Sequence, residues 1–220
     1  MRDVSGILIV KTGTTEPKVV ERHGDYDDWF LQALGAATVV APFEGQGLPD
    51  GDRFDGVLLT GSPLSVRDEA PWMEALGRWS LALTKPVLGV CFGHQLLGEA
   101  LGGRVERNPL GGEMGTVDVE LNAAGRADPL FAGLPSTLRV QQTHKDILVS
   151  APPDAELLGG NANTTWQAFR HCNIRCVQFH PELRPPYLRS LLEVRGIDAA
   201  VDDHDHGPRI LRNWKALIRS

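Results

Sequence analysis

Residues 86–98 read PVLGVCFGHQLLG. Pro86 to Val90 is apolar and too short for a helix, so it predicts a buried strand. Cys91 follows at once, and Gly93 to Leu101 then carries a helical pattern that Gly102 and Gly103 stop. A strand running directly into a helix through a single cysteine is an elbow. The flanking Gly89 and Gly93 allow the tight turn. Such an elbow sits at the carboxyl edge of a parallel sheet, the edge where ligands collect.

The chain before the elbow repeats the same grammar. Gly6–Val10, Ala37–Ala41 and Asp55–Thr60 are short apolar strands. A helix is predicted from Asp25, whose carboxylate caps the first turn, to Leu34, with Gly35 ending it. Pro71 opens a second helix with Trp72, Leu76, Trp79 and Leu83 as its apolar stripe. Strands alternating with helices imply right-handed βαβ units, and hence a three-layer α/β sandwich with a mostly parallel, flavodoxin-like central sheet covered on both faces. After the elbow the pattern changes. Thr116–Leu121, Leu138–Gln142 and Ile174–Phe179 alternate like half-buried strands. Helices are predicted over Tyr187–Val194 and Arg209–Ile218, with the polar stretch Asp202–His206 between them. With 220 residues, no internal repeat and no linker, residues 1–220 are expected to form a single domain.

Composition excludes several classes of function. A net charge of −6 argues against nucleic-acid binding, which uses a basic surface to release counterions. No apolar run approaches the ~20 residues that cross a bilayer, and the amino terminus lacks a leader pattern. Three cysteines at unequal spacing are no disulfide framework. They suit a reducing compartment, so a cytoplasmic location is expected. His171, Cys172, Cys176 and His180 could be assembled into a metal set, but His171 would point away from the others on a strand. No metal is expected there; Cys172 and Cys176 are read as strand residues. The acidic and histidine-rich stretch 202–206 reads as solvated loop, His94 as a packing residue, and the Trp72/Trp79 stripe as core.

A cysteine at a helix amino terminus feels unpaired N–H groups that favour thiolate. A thiol nucleophile also needs a base, and Val177-Gln-Phe-His180-Pro-Glu182 supplies one at the end of another apolar strand. Glu182 is placed to hold the second ring nitrogen of His180, completing a nucleophile, base and orienting acid.

These motifs resemble those of the class I glutamine amidotransferases. Residues 89–95 (GVCFGHQ) are similar to the family's nucleophile motif and residues 178–182 (QFHPE) to its His/Glu motif. Residues 58–63 (LLTGSP) are similar to its oxyanion loop, and 142–146 (QTHKD) to the segment beside bound glutamine. All occur in the family's order across nearly the whole chain, most like the free-standing amidotransferase part of GMP synthases. The resemblance implies a Cys91–His180–Glu182 triad acting on the glutamine side-chain amide through a glutamyl thioester. It further implies an oxyanion hole from Gly61, Ser62 and Phe92, and substrate contacts from Gln95, Gln142, Thr143 and His144. It implies no cofactor. The partner it implies is a synthetase that accepts ammonia. A stand-alone γ-glutamyl hydrolase or peptidase is the alternative, and a non-catalytic binding subunit is disfavoured by the intact triad. One departure is Ser62, where many members carry a second glycine before the proline. The other is that no P-loop or ATP site follows the last helix.

Overall fold

The computed structural model describes residues 6–219; the first five residues, on which the expectation about a leader falls, and Ser220 lie outside it. The first half of the chain builds the parallel part of the sheet. β1 (Ile7–Val10), β2 (Ala37–Val40), β3 (Gly56–Leu59) and β4 (Val87–Val90) are all four residues long. Helices α1 (Pro17–His23), α2 (Tyr26–Leu34), α3 (Pro71–Leu81) and α4 (Phe92–Ala100) are interleaved with them. The second half adds β5 (Arg104–Arg107), β6 (Glu113–Leu121), α5 (Ala123–Ala127), β7 (Thr137–His144), β8 (Asp146–Ser150), β9 (Glu156–Gly160), β10 (Ala168–His171), β11 (Ile174–Val177), α6 (Pro185–Arg195) and α7 (His206–Leu217).

Nine strands form one sheet in the order β2-β1-β3-β4-β11-β10-β9-β6-β7. The five strands β2-β1-β3-β4-β11 are mutually parallel, and every later pairing is antiparallel. β5 and β8 pair separately. Strand alternation divides the core between the two faces. Ile7 and Ile9 of β1 join Phe30 of α2 and Trp214 of α7 on one side. Leu8 and Val10 join Met73 of α3 and Leu97 of α4 on the other. A third cluster of Val19, Trp29, Leu188 and Leu192 ties α1 and α2 to α6.

Several expectations are refined. In α3 the core-facing line is Met73, Leu76, Gly77 and Ser80, so the helix is rotated from the expected stripe. Trp72 stacks on Phe92 at 5.8 Å, and Trp79 turns its indole N–H to the Pro49 carbonyl. Cys172 is not a strand residue; it occupies the β10–β11 turn with φ of 51°. β11, expected to be half-buried, is mostly buried. It lies in the middle of the sheet between β4 and β10, where helices or loops cover both faces.

The predicted cap of α2 is present as a reciprocal capping box between Asp25 and Asp28. Asp25 Oδ1 accepts from the N–H groups of Tyr26 (2.8 Å) and Thr15 (2.9 Å), and its Oδ2 pairs with Lys11 Nζ at 2.8 Å. One carboxylate therefore joins β1, the following loop and the start of α2. We expect Asp25→Ala to cost about 1–2 kcal/mol for the lost cap, read as a lower urea midpoint at unchanged m value. An unaltered midpoint would show that the capping box contributes nothing.

Candidate functional site

Cys91 is the residue between β4 and α4 and has φ 50° and ψ −97°, a conformation costly for any residue with a Cβ. Two hydrogen bonds hold it there. Its own N–H donates to the Val177 carbonyl (2.9 Å), and the Gly93 N–H donates to the Thr60 carbonyl (3.2 Å). The turn also requires its glycines. A Cβ at Gly89 would lie 2.7 Å from the Gly93 carbonyl oxygen, and one at Gly93 2.7 Å from the Leu59 carbonyl oxygen.

The parallel pairing of β4 with β11 sets Val90 opposite Val177. Both strands end there, so Cys91 and Gln178 emerge side by side and His180 follows. His180 Nδ1 donates to Glu182 Oε1 at 2.6 Å, and both side chains are fully buried. Its Nε2 faces Thr143 Oγ1 at 3.2 Å, and the ring also lies within interaction range of the Cys91 sulfur. Burial alone would depress the imidazole pKa. The charge of Glu182, the nearby Cys91 sulfur and the hydrogen bonds to both outweigh it and raise the value from 6.5 to about 10. Tyr26 stacks over His180 with ring centroids 6.2 Å apart. Burial, and then the neighbouring Cys91, push its phenol pKa well up, so it remains a neutral donor.

Gly61 packs against this pair. A Cβ there would fall 2.6 Å from His180 Cε1 and 3.6 Å from Cys91 Cβ. Ser62 fits without a glycine's freedom because its backbone is not in the left-handed region. Its side chain lies against Gly13, where a Cβ would collide with the Ser62 hydroxyl. The glycine missing from the loop is thus matched by a glycine facing it. Among the described residues, the N–H groups of Ser62 and Phe92 have no hydrogen-bond acceptor.

Cys91 opens into a cavity of about 540 Å³. Its walls include Tyr26, Ser62, Gln95, Thr143, His144 and Asp146, together with the more exposed Arg107 and Lys145 and the Glu16–Arg195 ion pair at 3.2 Å. Four expected site residues, Ser62, Gln95, Thr143 and His144, therefore line it. Gln142 does not. Alternation along β7 turns its side chain into the interior, where it is fully buried and donates to Gln167 Oε1 at 2.7 Å. His144 has Nε2 3.0 Å from Glu113 Oε2 and Nδ1 3.2 Å from the Asp146 carbonyl oxygen, so protein groups occupy both ring nitrogens. Glu113 also accepts from Thr164, Gln167 and Asn161, which fixes the wall behind His144. Burial would raise its carboxyl pKa, but the hydrogen bond from His144 and its other donors hold it below the usual range.

Tyr26, Glu113, Asp146 and Gln178 are site elements that sequence reasoning does not single out. Asp146 and Gln178 fall inside the family-like motifs; nothing in the local pattern marks Tyr26 or Glu113. Among the described residues, no group of three or more His, Cys, Asp or Glu side chains could hold a metal ion. No helix there is long and apolar enough to cross a membrane.

Residues 31–192 match the family of class-I glutamine amidotransferases. The chain is 32% identical to a glutamine-hydrolyzing GMP synthase of Aeropyrum pernix, with 98% of this chain and 37% of that protein covered. It is 33% identical to a separate subunit of the glutamine-hydrolyzing GMP synthase of Ignicoccus hospitalis, covering 81% of this chain and 89% of the relative. The chain spans about a third of the length of the larger GMP synthases it matches. Among solved structures, a glutamine amido transferase of Methylobacillus flagellatus shares the fold with a TM-score of 0.74 at 21% identity, over 99% of this chain and 94% of that one.

Two outcomes follow from this geometry. In an NMR titration the His180 imidazole should lose its proton near pH 10 in the wild type and at markedly lower pH in Glu182→Gln. The folded value lies above the ordinary one, so the stability it lends is complete below pH 6.5 and disappears as pH rises through about 10. A wild-type midpoint between pH 6 and 7 would refute the pairing. Gly61→Ala should lower kcat/KM by roughly tenfold or more, since displacing a positioned group by about 1 Å can cost up to ~100-fold, with the fold retained by far-ultraviolet circular dichroism. Full activity would show that the loop is not pressed against His180.

Proposed function

This chain belongs to the class I glutamine amidotransferase family, and on that premise we propose that it hydrolyses the side-chain amide of glutamine and passes the ammonia to a separate synthetase. The observation that carries the reading is the junction of Cys91, which lines a cavity of about 540 Å³, with the buried His180–Glu182 pair beside it. The strained elbow presents the sulfur to that cavity, as an attacking group requires. The Cys91 thiolate adds to the amide carbonyl carbon. The oxygen, now negative, is held by the N–H groups of Phe92 and of the Gly61–Ser62 loop. Protonated His180 gives its proton to the amide nitrogen, the carbon–nitrogen bond breaks, and ammonia leaves a glutamyl thioester. Neutral His180 then takes a proton from water, hydroxide adds to the thioester, and the thiolate leaves with release of glutamate. Gln95, Thr143 and His144 line the cavity where the amino-acid end of the substrate would sit.

The relative of matching length is itself one subunit of a GMP synthase, which supports a division of labour between this chain and a synthetase. The composition and cysteine usage fit a reducing, cytoplasmic setting. Residues 1–220 would act as one amidotransferase domain. A second reading, hydrolysis of γ-glutamyl compounds, is favoured by one observation. The exposed Lys145, which makes no ion pair among the described residues, lines the cavity, where a second carboxylate of a γ-glutamyl amino acid would meet it.

Ammonia release from glutamine, measured with and without a GMP synthetase subunit from the same organism, tests the proposal. Turnover should occur, rise when the synthetase is added, vanish in Cys91→Ala and fall roughly 10²–10⁴-fold in His180→Ala. Cleavage of γ-glutamyl dipeptides with no glutamine turnover under either condition would overturn it in favour of the second reading.

A further inference from the structure

Beside the triad, a chain of buried amides runs to the nucleophile. It begins at the Asp146 main-chain carbonyl, which can only accept. Gln95 Nε2 donates to it at 2.7 Å, and this sets which end of the Gln95 amide faces inward. The same NH₂ group has a second hydrogen, directed at Gln178 Oε1, 3.2 Å away. With its oxygen turned to Gln95, Gln178 must present its own NH₂ to the other side, and Nε2 lies 3.6 Å from Cys91 Sγ. Each amide orientation is thus dictated by the one before it, and the sequence of donors ends on sulfur. Gln178 is fully buried, so water does not compete for that position.

We infer that Gln178 is a positioning residue that holds the Cys91 sulfur in its attacking form and direction by an N–H···S hydrogen bond, aligned through Gln95 by the Asp146 carbonyl. The inference rests on Cys91 being the nucleophile of the proposed reaction. A donor aimed at sulfur stabilises thiolate more than thiol, because the hydrogen bond is stronger to the charged acceptor. Gln95 then has two tasks. Its NH₂ group orients Gln178, while its Oε1 accepts no hydrogen bond among the described residues and remains for a ligand. Lost donation and lost substrate contact therefore have different signatures, and Gln178 isolates the first.

The test is alkylation of Cys91 by iodoacetamide, which needs no substrate and so can fail or succeed independently of the glutaminase reading. Gln178→Met keeps the volume and removes the donor; Gln178→Glu keeps the shape and turns a carboxylate toward the sulfur. At pH 7 we expect alkylation to slow roughly tenfold in Gln178→Met, in line with one hydrogen bond to a charged group, and further in Gln178→Glu. The pH profile of alkylation should move to higher pH in both, with far-ultraviolet circular dichroism unchanged. In turnover, kcat should fall more than KM rises. Alkylation rates and profiles equal to wild type in the folded variants would overturn the inference, even if turnover fell, because Gln178 would then act only through packing. Should Gln178→Met fail to fold, Gln178→Glu alone decides between the same two results.

Discussion

Everything at the site depends on holding one residue in a conformation it would not choose. At Cys91 the backbone is left-handed in φ, which costs on the order of 1–3 kcal/mol and persists only where surroundings over-determine it. Here they do. Its own N–H is held by Val177, the Gly93 N–H two residues on is held by Thr60, and positions 89 and 93 are bare of side chains. The strain secures a geometry: the sulfur stands at the end of the sheet, clear of the helix that follows, with α4's first N–H groups beside it.

The second determinant is strand pairing. Residues 91 and 180 are far apart in sequence, and a parallel register between β4 and β11 removes that distance. Because both strands stop at the same level, the next residues of each meet at one edge. β11 must therefore be central, and the chain must return to the middle of the sheet after the excursion through β6 to β10. The antiparallel half does more than extend the sheet. It ends β7 at Thr143 and His144, which line the cavity together with Ser62.

These two determinants separate what is legible in the sequence from what is not. β1 to β4 are apolar runs bounded by turn residues, and α2 advertises its start through Asp25, so local chemistry suffices for them. Cys91, His180 and Glu182 are legible because they fall in two distinctive short motifs that follow the ends of β4 and β11. Helix α1 gives only a weak signal, because Pro17 at its first position is unaccompanied by a side-chain cap from Glu16 and the helix is only seven residues long; β5 is a polar RVER paired with just one strand. Gln142 and Gln178 mark the limit most clearly. Each belongs to a recognisable motif, yet one faces the interior and the other the Cys91 sulfur, and only strand alternation combined with register decides which. Glu113, Tyr26 and Asp146 matter through partners 31 or more residues away, beyond any local pattern.

The acidic net charge is a poor guide to the cavity itself. Arg195 is matched by Glu16, and Arg107 lies 3.3 Å from Asp146, so these pairs cancel locally. What remains is Lys145, which makes no ion pair among the described residues, and His180, which Glu182 and the sulfur keep protonated through the neutral range. Lys145 on the cavity wall and protonated His180 beside the Cys91 sulfur give this end of the sheet a local positive character. The fold supplies this polarity from a handful of side chains, and the −6 spread over the rest of the surface, screened beyond about 8–10 Å, does not reverse it.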